Sequence, residues 1–85
     1  MGKAYQINEI KFENDCLYIT IDSQIFSFQL SEISSKLAIA TEQEKNTFKV
    51  SPAGYGIHWP LIDEDLSITG LLDQYNSRTS FNQAV

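Results

Sequence analysis

The chain has 85 residues, 42% of them hydrophobic and 12% aromatic, with six basic and eleven acidic side chains and a formal net charge of −5. A chain this short makes one domain with a thin core, burying about 60–65% of its unfolded surface. One cysteine, Cys16, excludes an internal disulfide and a multi-cysteine zinc site, and the bases Lys3, Lys11, Lys36, Lys45, Lys49 and Arg78 are too scattered for the basic patch that duplex binding requires.

Met1-Gly2-Lys3 is followed by alternating polar and apolar residues, not by an apolar leader core. No apolar run approaches the ~18 residues that span a membrane. A cytoplasmic protein without membrane or direct nucleic-acid contact is expected, and its acid excess favours a basic partner.

In chain order, Tyr5 and Ile7 alternate with polar neighbours, and so do Ile10 and Phe12, but the phase slips at Asn8-Glu9. A strand over 4–12 therefore needs a bulge there. Glu13-Asn14-Asp15 is a turn, because Asn and Asp tolerate left-handed backbone. Leu17, Ile19 and Ile21 alternate with Cys16, Tyr18 and Thr20, which is strand period. Asp22-Ser23 turns the chain again, and Phe26, Phe28 and Leu30 alternate in a third strand. Three strands with short turns make an antiparallel meander.

The period then changes. Leu30, Ile33, Leu37 and Ala40 follow helical spacing, with Ser31 as the expected N-cap. Thr41-Glu42-Gln43-Glu44 has the form of a capping box and predicts a further short helix. Thr47–Ser51 reads as a strand with Phe48 and Val50 inward. Pro52-Ala53-Gly54 turns, and Tyr55, Ile57 and Trp59 alternate until Pro60 ends the strand. After an acidic loop, Ser67 or Asp65 caps a last helix whose apolar residues are Ile68, Leu71, Leu72 and Tyr75. The fold class expected is α+β: one antiparallel sheet of about five strands, in the element order β-β-β-α-β-β-α, with the helices packed on one face. Residues 1–75 form the domain, and 76–85 form a polar tail that frays. The second sheet face would carry Cys16, Tyr18, Thr20, Ile25, Lys49, Gly56 and His58.

Residues 54–67 gather the only Trp, the only His and three acids. A lone His and a lone Cys fall short of the three or four ligands of a zinc site. Asp63-Glu64-Asp65 lacks the spacing and glycine of a calcium loop and reads better as helix-start acids. Gly54-Tyr55-Gly56 is not followed by the Lys-Ser/Thr of a phosphate loop; its glycines serve a turn and close backbone approach. Nothing orients a Cys16–His58 dyad, and adjacent carboxylates do not face each other across a cleft. No catalytic residues and no cofactor are expected. Trp59 has two readings, core anchor or contact residue. His58 and Glu64 are the two residues of the segment left without a structural task, and with Tyr18 and Ile25 they form the expected interaction set. Gly54, Gly56, Trp59, Pro60, Asp63, Asp65 and Ser67 form the structural signature.

The run Leu37-Ala38-Ile39-Ala40-Thr41-Glu42-Gln43-Glu44, then Phe48-Lys49-Val50-Ser51, then Gly54 through Ser67 and Gly70-Leu71-Leu72, resembles the bacterial domain-of-unknown-function family 2442. The Gly-Ile-His-Trp-Pro to Asp-Leu-Ser stretch is its most specific part. The resemblance implies a small α+β domain and no catalytic residues. It also implies one of two settings: fusion to a helix-turn-helix domain, or a gene placed beside a second small protein in an arrangement like a toxin–antitoxin pair. The fused form is not expected here, since the chain ends soon after its last helix.

Three functions follow as expectations. The first is a non-catalytic module that binds a protein partner, the product of a neighbouring gene, in an antitoxin-like role. The second is a small-ligand or metal-binding protein using His58 and the Asp63-Glu64-Asp65 loop. The third is a self-associating structural domain.

Overall fold

A computed structural model describes the backbone of residues 4–83 and the side chains of residues 4–77. The chain order is β1 (Ile7–Glu13), β2 (Cys16–Ile21), β3 (Gln24–Gln29), α1 (Leu30–Ile33), α2 (Ser35–Ala38), α3 (Glu42–Asn46), β4 (Lys49–Val50), β5 (Gly56–Trp59), β6 (Glu64–Ser67) and α4 (Ile68–Gln83). The strands do not form one sheet of five. They form two antiparallel sheets of three, β1-β2-β3 and β4-β5-β6.

The first sheet follows the sequence pattern closely. Asn14 and Asp15 have φ of 53° and 62°, and Asp22 and Ser23 have 49° and 72°. Positive φ at both central residues is the two-residue hairpin geometry whose twist suits the flanking strands. Asp22 also fastens β1 twice, its Oδ1 accepting from the Gln6 N–H and its own N–H donating to the Gln6 carbonyl, each at 2.9 Å. The β1–β2 register shifts between Ile7 and Ile10, which is the expected bulge.

Leu17, Ile19, Ile21 and Phe28 from this sheet are buried against Ile57 and Trp59 from the second. Leu30 and Leu37 from the short helices and Ile68 and Leu71 from α4 close the same core. Tyr75 of α4 sets its ring edge-on to Phe26 at 5.0 Å and Phe28 at 5.9 Å. The backbone of α4 continues through Gln83, so residues 76–83 are helical; the last two residues of the expected tail lie outside the described residues.

The helix expected from Leu30 to Ala40 is broken. Ser34 is extended, with φ −166° and ψ 110°, and separates α1 from α2. Ser31 caps nothing: α1 begins at Leu30 with no side-chain cap. Ser34 is the cap, and its Oγ accepts the Leu37 N–H at 3.1 Å. The same buried hydroxyl donates to Glu64 Oε2. Ser34→Ala is therefore expected to cost about 1–2 kcal/mol, because a cap and the partner of a half-buried carboxylate go together. Ser31→Ala should stay within about 0.5 kcal/mol of the parent. Paired urea titrations check the contrast.

The capping box forms as read. Thr41 Oγ1 accepts the Glu44 N–H at 3.1 Å, and Glu44 Oε1 accepts the Thr41 N–H at 2.9 Å. The strand expected over Thr47–Ser51 shrinks to Lys49–Val50. Val50 shares the face of Ile57 by register but remains 36% exposed, because so short an edge strand has little to cover it. The segment expected as an irregular acidic loop contains β6, joined to β5 by a turn over 60–63 in which Asp63 takes φ 52°. Among the described residues no helix is long and apolar enough to cross a membrane.

Candidate functional site

Trp59 belongs to the core. It is 0% exposed and joins the two sheets, with Phe12 of β1 edge-on at 6.4 Å and Phe48 beside β4 at 6.3 Å. Its Nε1–H donates to the Lys45 carbonyl at 3.0 Å. That bond satisfies both the buried indole and a carbonyl at the end of α3 that has no partner within its helix. The Lys45 ammonium lies 5.8 Å above the Phe12 ring.

Residues beside Trp59 on β5 point to the other face. The registers Lys49↔His58 and His58↔Asp65 align three charged or ionisable side chains in one row across the sheet, on the face away from Trp59. His58 Nδ1 and Asp65 Oδ1 are 2.7 Å apart. An ionised carboxylate only accepts, so Nδ1 carries the proton. Nε2, across the ring, has no partner among the described residues. The pair is open to solvent, with the side chains 42% and 74% exposed. An exposed pair of this kind contributes about 0–1 kcal/mol. Its main effect is to fix the imidazole ring, not to hold the fold.

The row borders a groove of about 560 Å³ with mostly apolar walls, lined by Lys49, Val50, Ser51, Pro52, Tyr55, Gly56, Ile57, His58, Asp65, Leu66 and Ser67. Ser51 builds one end of it. The Ser51 Oγ accepts the N–H of Tyr55 at 2.8 Å and of Gly56 at 3.1 Å, and the Ser51 carbonyl accepts from Gly54. This clamp leaves Tyr55 standing 47% exposed at the rim. Across β5 from Ser51, opposite Gly56, Ser67 Oγ accepts the Gly70 N–H at 2.9 Å and starts α4. Gly56 allows β5 to lie close to β6, since an added Cβ would come within 3.0 Å of the Leu66 carbonyl. Pro60 follows β5 and stands exposed in the turn.

The expected interaction set is divided. Tyr18 and Ile25 lie on the first sheet, beside a smaller recess of about 310 Å³ shared with Glu9, Lys11, Glu13 and Thr20. His58 lies on the second sheet, so the three do not share one face. Glu64 is not free: it receives Ser34 from one side and the Asp65 N–H at 3.1 Å from the other. Asp65 was the alternative helix cap, but it holds His58, and Ser67 alone caps α4. Asp63 contributes its carbonyl, which accepts from Lys36 Nζ at 3.0 Å. The acids of 63–65 thus diverge, and among the described residues no three His, Cys, Asp or Glu side chains come together as a metal site. Lys49 lies beside His58, on the face expected for it, while Ser51 and Tyr55 are groove residues outside the expected interaction set. The Ser-Pro step at 51–52 was the available signal, since a serine hydroxyl before a turn often binds backbone N–H groups.

No curated protein matches the chain. Its fold is similar to a crystal structure of a protein of unknown function from Rhodospirillum rubrum ATCC 11170, with a TM-score of 0.68 at 20% identity over 85% of this chain and 89% of that one. At that identity the likeness speaks for the fold alone. The sequence profile of the family described as "Protein of unknown function (DUF2442)" matches residues 7–77, which is most of the chain, and the chain belongs to that family.

Proposed function

We propose that this chain is a non-catalytic protein-binding module whose contact surface is the groove on the second sheet. The observation that carries the reading is the pairing of an apolar groove with a fixed, partly exposed imidazole at its border. Tyr55 at the rim is the type of residue that anchors interfaces. The partner inserts an apolar side chain between Val50 and Tyr55 and brings a basic group to Asp65, in keeping with the chain's net charge of −5. The finer form of the proposal makes that partner the product of a neighbouring gene and this chain its cytoplasmic, antitoxin-like counterpart.

Co-expression with the neighbouring gene product, followed by affinity capture, tests the proposal. Tyr55→Ala and His58→Ala are expected each to weaken the complex by about 1–2 kcal/mol, or roughly fivefold to thirtyfold, while thermal stability stays within about 1 kcal/mol. Absence of a complex, or a complex indifferent to both substitutions, contradicts the proposal. Failure to relieve growth arrest by the neighbour removes the antitoxin form of it.

A groove of about 560 Å³ is also within the size range of small-molecule sites. This second reading retains only His58 and Asp65 of the residues first expected for it. Calorimetry against a panel of small carboxylic acids and amines, read on the parent and His58→Ala, separates it from the first.

A further inference from the structure

The two sheets have edges at β1, β3, β4 and β6. An open edge offers unpaired backbone groups, and proteins blunt such edges with charge, bulges or brevity. Three of the four are blunted. β1 carries Glu9, Lys11 and Glu13 and a bulge; β4 has two residues, one of them Lys49; β6 has four residues, two of them acids. β3, Gln-Ile-Phe-Ser-Phe-Gln, has six residues with no charge, no proline and an unbroken register against β2.

The direction of its backbone groups follows from one bond. Leu30 N–H donates to the Asp15 carbonyl at 3.0 Å, one step beyond the Cys16↔Gln29 pair. Alternate residues of an antiparallel strand bond to alternate sides. Phe28, Phe26 and Gln24 therefore bond to β2 in phase with Leu30, and Ile25, Ser27 and Gln29 turn their N–H and C=O outward. All three are exposed, Ile25 at 74%; the Gln29 carbonyl, at the N-cap of α1, already accepts the first bond of that helix.

We propose that β3 pairs antiparallel with β3 of a second copy of this chain, on a two-fold axis at Ser27. The strand is symmetric about that residue at its immediate neighbours, Phe26 and Phe28. The axis sets Ser27 opposite Ser27, Ile25 opposite Gln29 and Phe26 opposite Phe28 of the second copy. The outward groups then form about four backbone hydrogen bonds across the axis, and the two Ile25 N–H groups meet the Gln29 carbonyls that also start α1. The hydroxyl pair and the aromatic pairs are favourable cross-strand neighbours, and the aromatic pairs extend the row that Tyr75 already makes with Phe26 and Phe28. No charge meets its own image across this axis. The two three-stranded sheets become one sheet of six, and the groove of the second sheet lies on other strands.

Sedimentation of the full chain from about 10 µM to about 1 mM, the range in which a modest self-affinity registers, tests this. The expected result is a concentration-dependent species of about twice the 9.6 kDa of one chain. Ser27→Lys places like charges opposite each other at the axis and is expected to weaken association about tenfold or more. Amide hydrogen exchange on the parent needs no variant: the N–H groups of Ile25, Ser27 and Gln29 should gain protection together as concentration rises. A chain that stays monomeric throughout, a dimer that a folded Ser27→Lys leaves intact, or amides at 25, 27 and 29 that exchange freely in the dimer overturns the proposal.

Discussion

Trp59→Ala is expected to lower stability by about 3–5 kcal/mol, the usual cost of deleting a buried large aromatic. The residue has no exposed surface and touches elements of both sheets through Phe12 and Phe48. Its removal opens a cavity where the two sheets meet and strands the Lys45 carbonyl. Typical domains have about 5–15 kcal/mol in all, so the variant is near the limit of folding. Trp59→Phe separates the contributions. It keeps most of the apolar contact and loses the indole hydrogen bond, for an expected cost of about 1–3 kcal/mol. Chemical denaturation followed by far-UV circular dichroism measures both. A loss under about 1 kcal/mol for the alanine variant would mean that Trp59 does not hold the sheets together.

Gly54→Ala is expected to be the most damaging change at an otherwise mild position. Gly54 has φ +71°, a region that costs a residue with a Cβ about 1–2 kcal/mol. A Cβ there would also overlap the carbonyl oxygen of Tyr5, which is backbone and has no flexible end to move aside. Relief requires the segment before β1 to move off the 51–54 turn, breaking the Tyr5 N–H bond to the Ala53 carbonyl of 3.1 Å. That adds about 1 kcal/mol, giving a total of about 2–3 kcal/mol. Gly70→Ala is the comparison, on the exposed side of α4, where the added carbon meets only the Ser67 side chain and displaces its capping hydroxyl, at about 1 kcal/mol, offset by the gain of alanine over glycine in a helix. Thermal melts of the two variants should separate clearly, with Gly54→Ala melting well below Gly70→Ala. Equal melting points would show that the turn is not pinned against Tyr5.

The parts of this fold that were legible in the sequence are those whose signal is local. The hairpins of the first sheet are encoded by strict alternation in Cys16–Ile21 and by Asn-Asp and Asp-Ser pairs that accept positive φ. The bulge was visible as a phase slip, and the Thr41–Glu44 box as a three-residue spacing. Which strands pair is not local, and alternation alone does not tell two sheets of three strands from a single sheet. Strand β6 was hidden because Glu64-Asp65-Leu66-Ser67 has one apolar residue in four, and its acids match a helix start equally well. The break at Ser34 was hidden because Leu30, Ile33 and Leu37 keep helical spacing across a residue that is itself extended.

The candidate site was legible by half for the same reason. His58 stood out as the lone histidine of a strand, but its partner Asp65 is set by β5–β6 register, which no local pattern gives. Glu64 looked idle because its bond to Ser34 crosses 30 residues of chain. Alternation on β6 is what sorts the two acids: Glu64 shares the face of Trp59, and Asp65 shares the face of His58.

The groove beside His58 is proposed as a protein-binding surface. Backbone amide shift mapping tests it most directly, with the isotopically labelled chain titrated by the product of the neighbouring gene. Saturable shifts concentrated at Lys49, Val50, Tyr55, Gly56, His58 and Asp65 are expected. Shifts confined to other surfaces, or none at a concentration that saturates affinity capture, would contradict it.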